Sequence, residues 1–385
     1  MSRVALDLTV PAENGLRRGR TTGTCATAAL KAALLLLLRQ KTVTEVRVSL
    51  PDRPAPEGSS PDPKYFLAVP VRELRRLEDG AVRAAVVKDA GDDPDCTDRA
   101  VIFVVARINH RGELRFIAGP GVGTVTEPGI RVPVGEPAIN PMPRQMMRWA
   151  AEEVLAGAPN PGFDVEIGCE DGATIARKTF NPRLGIVGGI SILGTSGVVE
   201  PMSLAAYMAS IEVYIRVALG GEADSIAYAP GKIGTAYARN NLRLPQKRVV
   251  QISNFIGFAL DCTNLVLTEE GRRLPLLWLV GHPGKLAKTL DDIWDTHSGK
   301  SSMAMGAVAR VAAECGFARE DVEALMTSNT VEAVVERLRE HERANELWCA
   351  VERRIATMVQ SRLTRVDRVE ARLFGLHGVA LGQAA

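Results

Sequence analysis

The sequence predicts a two-domain chain, with a mixed α+β domain over residues 1–182 and a Rossmann-like α/β domain over 183–385. The second is expected to carry about four parallel strands and to close with helices. Three observations predict this. Before residue 182, short apolar alternations follow one another across turn-rich inserts, as strands do. After residue 183, apolar runs of strand length alternate with segments of helical spacing, which implies right-handed crossovers and a parallel sheet. From Ser302 onward the pattern is amphipathic helix, with acids and arginines on the wet face. A length of 385 residues accommodates two such cores.

In chain order, an arginine-rich stretch at 16–20 leads through Thr21, Thr22, Gly23 and Thr24 into an Ala/Leu-rich helix at 25–38. Strands are expected at 43–50, 65–71, 81–88 and 100–109. Five prolines within 51–63 predict an exposed loop there. Residues 166–181 read as a hairpin turning at Asp171 and Gly172. The second domain opens with a glycine-rich strand at 185–193, then a helix at 201–219. Strands follow at 225–228, 249–252 and 276–280, with helices from 232 and at 255–265 between them.

Composition removes several classes of function. Lys+Arg 47 against Asp+Glu 45 leaves a formal charge of +2, and aromatics are 5%, so neither a nucleic-acid surface nor a base-stacking platform is expected. The most apolar stretch, 32–38, falls short of the roughly 20 residues a spanning helix needs. The first residues carry an acid and a proline where a signal peptide needs an apolar core. Six scattered cysteines without a Cys-x-x-Cys pair fit reduced thiols. The expectation is a cytoplasmic protein with no membrane partner and no dedicated metal site.

Ligands of open parallel sheets bind beyond the carboxyl ends of the strands. Those ends carry Gly188, Gly189, Ser191, Gly194 and Thr195, then Pro230, Gly231 and Lys232, then Ser253 and Asn254, then Gly281 and His282. Glycine there lets a small molecule approach the backbone, although it also serves tight turns. No Gly-Lys-Ser/Thr follows the glycine-rich run, and no clean Gly-x-Gly-x-x-Gly is present. In the first domain, Thr21 and Thr22 open a helix behind Arg17, Arg18 and Arg20, which suits an anion or a plain cap. Lys88 adjoins four carboxylates within seven residues, and crowding of Asp89 and Asp92 would raise a pKa and suit acid/base work; a solvated turn is the plain alternative. Asn140 and Arg144 lie in a proline-shaped loop. His282 and His297 sit in polar loops, each structural or catalytic.

Together these segments resemble one family, the cobalt-precorrin-5B C1-methyltransferases of the CbiD type. The matching stretches are residues 19–26, 88–95, 135–141, 179–186, 188–195, 253–257, 281–285 and 296–298, and they fall in family order. The resemblance implies methyl transfer from S-adenosylmethionine to ring carbon C1 of a cobalt-containing, contracted tetrapyrrole, giving cobalt-precorrin-6A in anaerobic cobalamin biosynthesis. On that reading Gly188, Gly189, Ser191, Gly194, Thr195, Ser253, Asn254 and Gly281 hold the donor. Arg20, Thr21, Thr22, Lys88, Asn140, Arg144 and Arg183 grip the acidic macrocycle across an inter-domain crevice, and Asp89, Asp92 or His282 handles a proton. A homo-oligomer is left open. Residues 283–305 depart from the family pattern at Pro283, Asp291, Asp292 and 301–305, so a non-catalytic tetrapyrrole binder of the same pathway stays an alternative. A nucleotide-dependent kinase or ligase using the same glycine loops is the other.

Overall fold

The computed structural model describes residues 3–51 and 63–382, so nearly all of the proline-rich loop expected at 51–63 lies outside the described residues. The chain divides into two compact units, Met1–Ser203 and Leu204–Ala385.

The first unit is built on a five-stranded sheet in the order Glu73–Arg76, Val82–Val87, Val101–Ile108, Phe163–Cys169, Leu114–Ala118. Its pairs are antiparallel except the last, which is parallel. Period-two burial of Val82, Ala84 and Val86, and of Ile102, Val104 and Ala106, gives the sheet one continuous apolar face. Helix Thr22–Arg39 belongs to the same core, flanked by helix Pro141–Leu155. Ala26, Ala29, Leu30 and Ala33 form its inward stripe, while Ala28 and Ala32 are small enough to be buried on the flanks. By length and composition this helix would cross a membrane, yet 67% of it lies inside the protein. It is the core helix of this unit.

The expected hairpin at 166–181 does not form. Phe163–Cys169 already pairs on both edges, with Val101–Ile108 and with Leu114–Ala118, so no edge remains for a returning strand. Asp171, at φ +55, instead turns the chain into helix Gly172–Ala176.

The second unit contains a four-stranded sheet in the order Val249–Gln251, Ser225–Ala229, Leu274–Gly281, Val366–Leu373, and every pair is parallel. Burial of Ile226 and Tyr228 towards one face, and of Ala227 and Ala229 towards the other, is what a sheet covered on both sides requires. Helix Leu204–Leu219 precedes the first of these strands, helices Lys232–Asn240 and Ile256–Glu269 intervene, and a helical run from Met305 to Arg362 precedes the last strand.

Three expectations are corrected here. Residues 185–193 are not the first strand of the parallel sheet, and the division falls after residue 203 instead of 182. Ile186–Val187 pairs with Thr124–Val125, Gly189–Ile190 with Gly121–Val122, and Val198–Val199 with Gly19–Arg20, all within the first unit. The fourth parallel strand is Val366–Leu373, inside the stretch expected to be mostly helix. It is an edge strand whose charged positions Asp367, Arg368, Glu370 and Arg372 imitate the wet face of a helix.

Candidate functional site

Several of the expected site residues lie beyond the carboxyl ends of the parallel strands. Beyond Ser225–Ala229, Gly231 caps helix Lys232–Asn240 with no side-chain hydrogen bond to its first turn. A Cβ at Gly231 would meet no atom within 4 Å. Beyond Val249–Gln251, Ser253 is held in the left-handed region at φ +54 and donates its hydroxyl to Asn254 Oδ1 at 3.1 Å. Asn254 is buried, and its Nδ2 donates to Asp295 Oδ1 at 2.5 Å while its carbonyl accepts from Thr296 N at 2.9 Å. Its amide therefore braces the loop around residues 294–301 and is not turned to a ligand.

Beyond the central strand Leu274–Gly281, His282 Nδ1 accepts from Gly284 N at 3.0 Å, and Nε2 faces Glu332 Oε2 at 2.7 Å. An accepting Nδ1 places the proton on Nε2, which donates it to Glu332. With both ring nitrogens engaged, His282 is built to hold this loop. Lys285 follows on the short helix Pro283–Leu286 and is half-buried. Glu332 and Asp295 were not among the expected site residues, whereas Lys285 ends the 281–285 stretch expected at the donor.

The other expected donor residues belong to the first unit and close on the protein itself. Thr22 Oγ1 accepts from Leu193 N at 2.9 Å and lies 3.2 Å from the Ser191 carbonyl. Ser191 donates to Asn181 Oδ1 at 3.1 Å, and Asn181 Nδ2 donates to the Gly189 carbonyl at 2.8 Å. A Cβ at Gly189 would lie 2.0 Å from the Gly121 carbonyl oxygen, and one at Gly194 would lie 2.5 Å from Thr21 Oγ1. Thr21 itself caps the helix by accepting from Thr24 N at 3.1 Å. Gly188 and Thr195 are exposed. The eight expected donor residues thus split between two units, with only Ser253, Asn254 and Gly281 on the parallel-sheet rim.

The acid-rich loop does not behave as crowded carboxylates. Each acid has its own donor. Arg17 Nη1 reaches Asp89 at 2.8 Å, Arg17 N donates to Asp92 at 2.7 Å, Met202 N donates to Asp93 at 2.9 Å, and Lys88 Nζ reaches Asp95 at 2.6 Å. The Arg17 hydrogen bond holds Asp89 below the usual carboxylate range, against the opposing effect of burial. The expectation of a raised pKa is therefore corrected at Asp89. Lys88, 2% exposed, faces Asp95 and has no free surface for an acidic ligand. Arg144 is also engaged, donating to the Ile139 carbonyl at 2.9 Å and the Pro137 carbonyl at 3.2 Å.

Three expected macrocycle contacts keep hydrogen-bonding capacity, two of them at the surface. Asn140 is exposed at the head of helix Pro141–Leu155, and Arg183 is exposed with its guanidinium 5.3 Å from the Phe180 ring. Arg20 lies 3.6 Å from Asp89 through Nη2, but its buried Nε has no hydrogen-bond partner. A buried donor of that kind costs about 1–3 kcal/mol unless something satisfies it.

The model of the CbiD family matches residues 9–201, and that of the CbiD C-terminal domain matches residues 295–385. A cobalt-precorrin-5B C(1)-methyltransferase of Ralstonia nicotianae is 61% identical over 383 residues, spanning 100% of this chain and 97% of its own. The protein of the same description from Chromobacterium violaceum is 56% identical over 383 residues, spanning 100% and 99%. Among solved structures, the cobalamin biosynthesis protein (cbiD) from Archaeoglobus fulgidus is 28% identical, covers 73% of this chain and 82% of that one, and superposes with a TM-score of 0.37.

Proposed function

The chain belongs to the CbiD family, and from that premise we propose that it methylates C1 of cobalt-precorrin-5B, with S-adenosylmethionine as donor and cobalt-precorrin-6A as product. The end-to-end likeness to relatives of that description carries the reading.

When bound, the donor supplies an electrophilic methyl group to an electron-rich macrocycle carbon. The protein's part is then alignment, because a positioned pair of reactants reacts with several kcal/mol less barrier than a diffusing pair. The rim of the parallel sheet supports a donor site there. Gly231 leaves open space beside the first turn of helix Lys232–Asn240, whose amides no side chain caps. Ser253 and Gly281 present backbone at the neighbouring strand ends, while Asn254 and His282 fix the loops behind them.

In the first unit, Arg20, Arg183 and Asn140 are the groups with capacity for the carboxylates of the macrocycle. Thr21, Thr22, Lys88 and Arg144 shape the walls around them. Asp89 and Asp92 stay with Arg17, so their role is to orient arginines and not to donate protons.

Calorimetric titration with S-adenosylhomocysteine, followed by turnover with cobalt-precorrin-5B, tests the reading. Donor-product binding and a tetrapyrrole heavier by one methyl group are expected. A folded protein that binds neither reactant and forms no methylated product overturns it.

A further inference from the structure

Two buried lysines of this chain differ in what faces them. Lys88, 2% exposed, has Asp95 Oδ2 at 2.6 Å. Lys288, 5% exposed, donates to the Thr296 carbonyl at 3.3 Å and to Ser301 Oγ at 2.8 Å, both neutral oxygens. Three residues earlier, Lys285 is half-buried, and its side-chain ammonium has no hydrogen-bond or ion-pair partner among the described residues. Burial, then the Lys288 charge, holds Lys285 below the usual ammonium range, and burial alone does so for Lys288. No carboxylate offsets either shift.

Charge removed from water without a counter-charge is costly, and proteins ordinarily pair it. Here the missing anion has a definite address. Both lysines follow directly on Gly281 and His282, beyond the carboxyl end of the central strand Leu274–Gly281, where parallel α/β sheets receive their ligands. The acids of the surrounding loops are engaged by other donors: Glu332 by His282, Asp295 by Asn254, Asp291 by Arg310 and Asp292 by Trp294.

We propose that Lys285, with Lys288 behind it, binds a carboxylate of the ligand seated at this rim. The proposal rests on the methyltransferase reading, in which both reactants carry carboxylates, the donor at its amino-acid end and the macrocycle on its side chains. Lys285 makes the contact as a compact ammonium on a flexible stem. Lys288 is too deep to touch the ligand. It is a positioning residue, fixed by Thr296 and Ser301, that keeps the local potential positive.

Lys285→Gln and Lys285→Arg, each shown to melt as the wild type does, are titrated with S-adenosylhomocysteine, with methylthioadenosine, which lacks the carboxylate, and with cobalt-precorrin-5B. A tenfold or greater loss for S-adenosylhomocysteine in the Gln variant, with methylthioadenosine unchanged and affinity regained in the Arg variant, assigns the donor carboxylate. A tenfold loss for the tetrapyrrole alone assigns a macrocycle carboxylate. Wild-type affinity for every probe in the Gln variant overturns the proposal while leaving the methyltransferase reading intact. A wild-type protein that binds none of the three overturns both.

Discussion

Gly19, Gly91, Gly189 and Gly194 in the first unit and Gly231 in the second lie in loops or two-residue strands, yet they face opposite surroundings. A Cβ would fall 2.2 Å from the Ala90 carbonyl carbon at Gly19, 2.1 Å from the Arg17 carbonyl oxygen at Gly91 and 2.0 Å from the Gly121 carbonyl oxygen at Gly189. At Gly231 it would meet nothing within 4 Å. Glycine in a loop reports that something comes close to the backbone. In the first unit that something is the protein's own chain, interlocking the 16–20 loop with the 88–95 loop through Arg20 N to the Asp89 carbonyl at 2.7 Å. Density of glycine alone does not separate a backbone packed on the protein itself from one with open space beside it.

The largest effect that would break this contrast is at Gly91. Its φ of +69 penalises any side chain, and the clashing atoms are backbone that cannot rotate away. Gly91→Ala is expected to cost roughly 4 kcal/mol, combining overpacking with left-handed strain. Urea unfolding checks this, and a variant as stable as the wild type would show that the interlocked loops yield easily.

A second difference is the sign of the pH response at particular buried carboxylates of the two units. In the first, Asp89 is lowered, and Asp95 is pushed up by burial but brought below its ordinary value by Lys88 and Thr97. Their stabilisation is present above the unfolded carboxylate range and is lost as the pH falls through the lower folded values. In the second unit, burial pushes Glu352 up to about 7 from 4.5; the Leu373 amide at 2.7 Å and Arg372 oppose this, and Glu370 adds to it. The folded state holds that proton more tightly than the unfolded chain does. Its contribution is therefore full below pH 4.5 and lost as the pH rises through about 7. Glu352→Gln keeps an acceptor for Leu373 N, so it should match the wild type at pH 4 and exceed it by about 2 kcal/mol at pH 8. Parallel stability curves for the two proteins would remove this distinction.

The buried lysines sharpen the comparison further. Asp95→Asn strands Lys88 without its counter-charge and is expected to cost about 2 kcal/mol, less than a fully buried pair because Asp95 is partly exposed. Lys288→Met removes a charge that no acid balances, so its loss of two neutral hydrogen bonds should be largely offset, leaving stability within about 1 kcal/mol of the wild type. Equal losses in both variants would mean that the two lysines are equivalent after all.

How much of this was legible depended on whether the signal was local. Strands Val82–Val87, Val101–Ile108, Ser225–Ala229, Val249–Gln251 and Leu274–Gly281 announce themselves by apolar runs between turns, and Ser253, Asn254 and Gly281 follow from where the last two runs stop. Val366–Leu373 did not, because an edge strand with four charges has the composition of a helix surface. Residues 185–193 misled in the other direction, since apolar residues with glycines resemble a strand entering a ligand loop, whereas the missing Cβ at Gly189 admits the Gly121 carbonyl. The partnerships of His282 with Glu332 and of Asn254 with Asp295 span 50 and 41 residues, and only the fold brings them together.

The smallest expected change in stability comes from Gly231, and it is the most direct test of what an open glycine is for. Its φ of −155 is extended backbone that alanine adopts freely, and the added methyl would touch nothing. Gly231→Ala should therefore stay within about 0.5 kcal/mol of the wild type in urea. If the space beside it is where the donor sits, the same methyl occupies ligand volume, and affinity for S-adenosylhomocysteine should fall at least tenfold while cobalt-precorrin-5B binding is retained. An unchanged donor affinity in this variant would leave Gly231 an ordinary helix cap and move the donor away from this strand end.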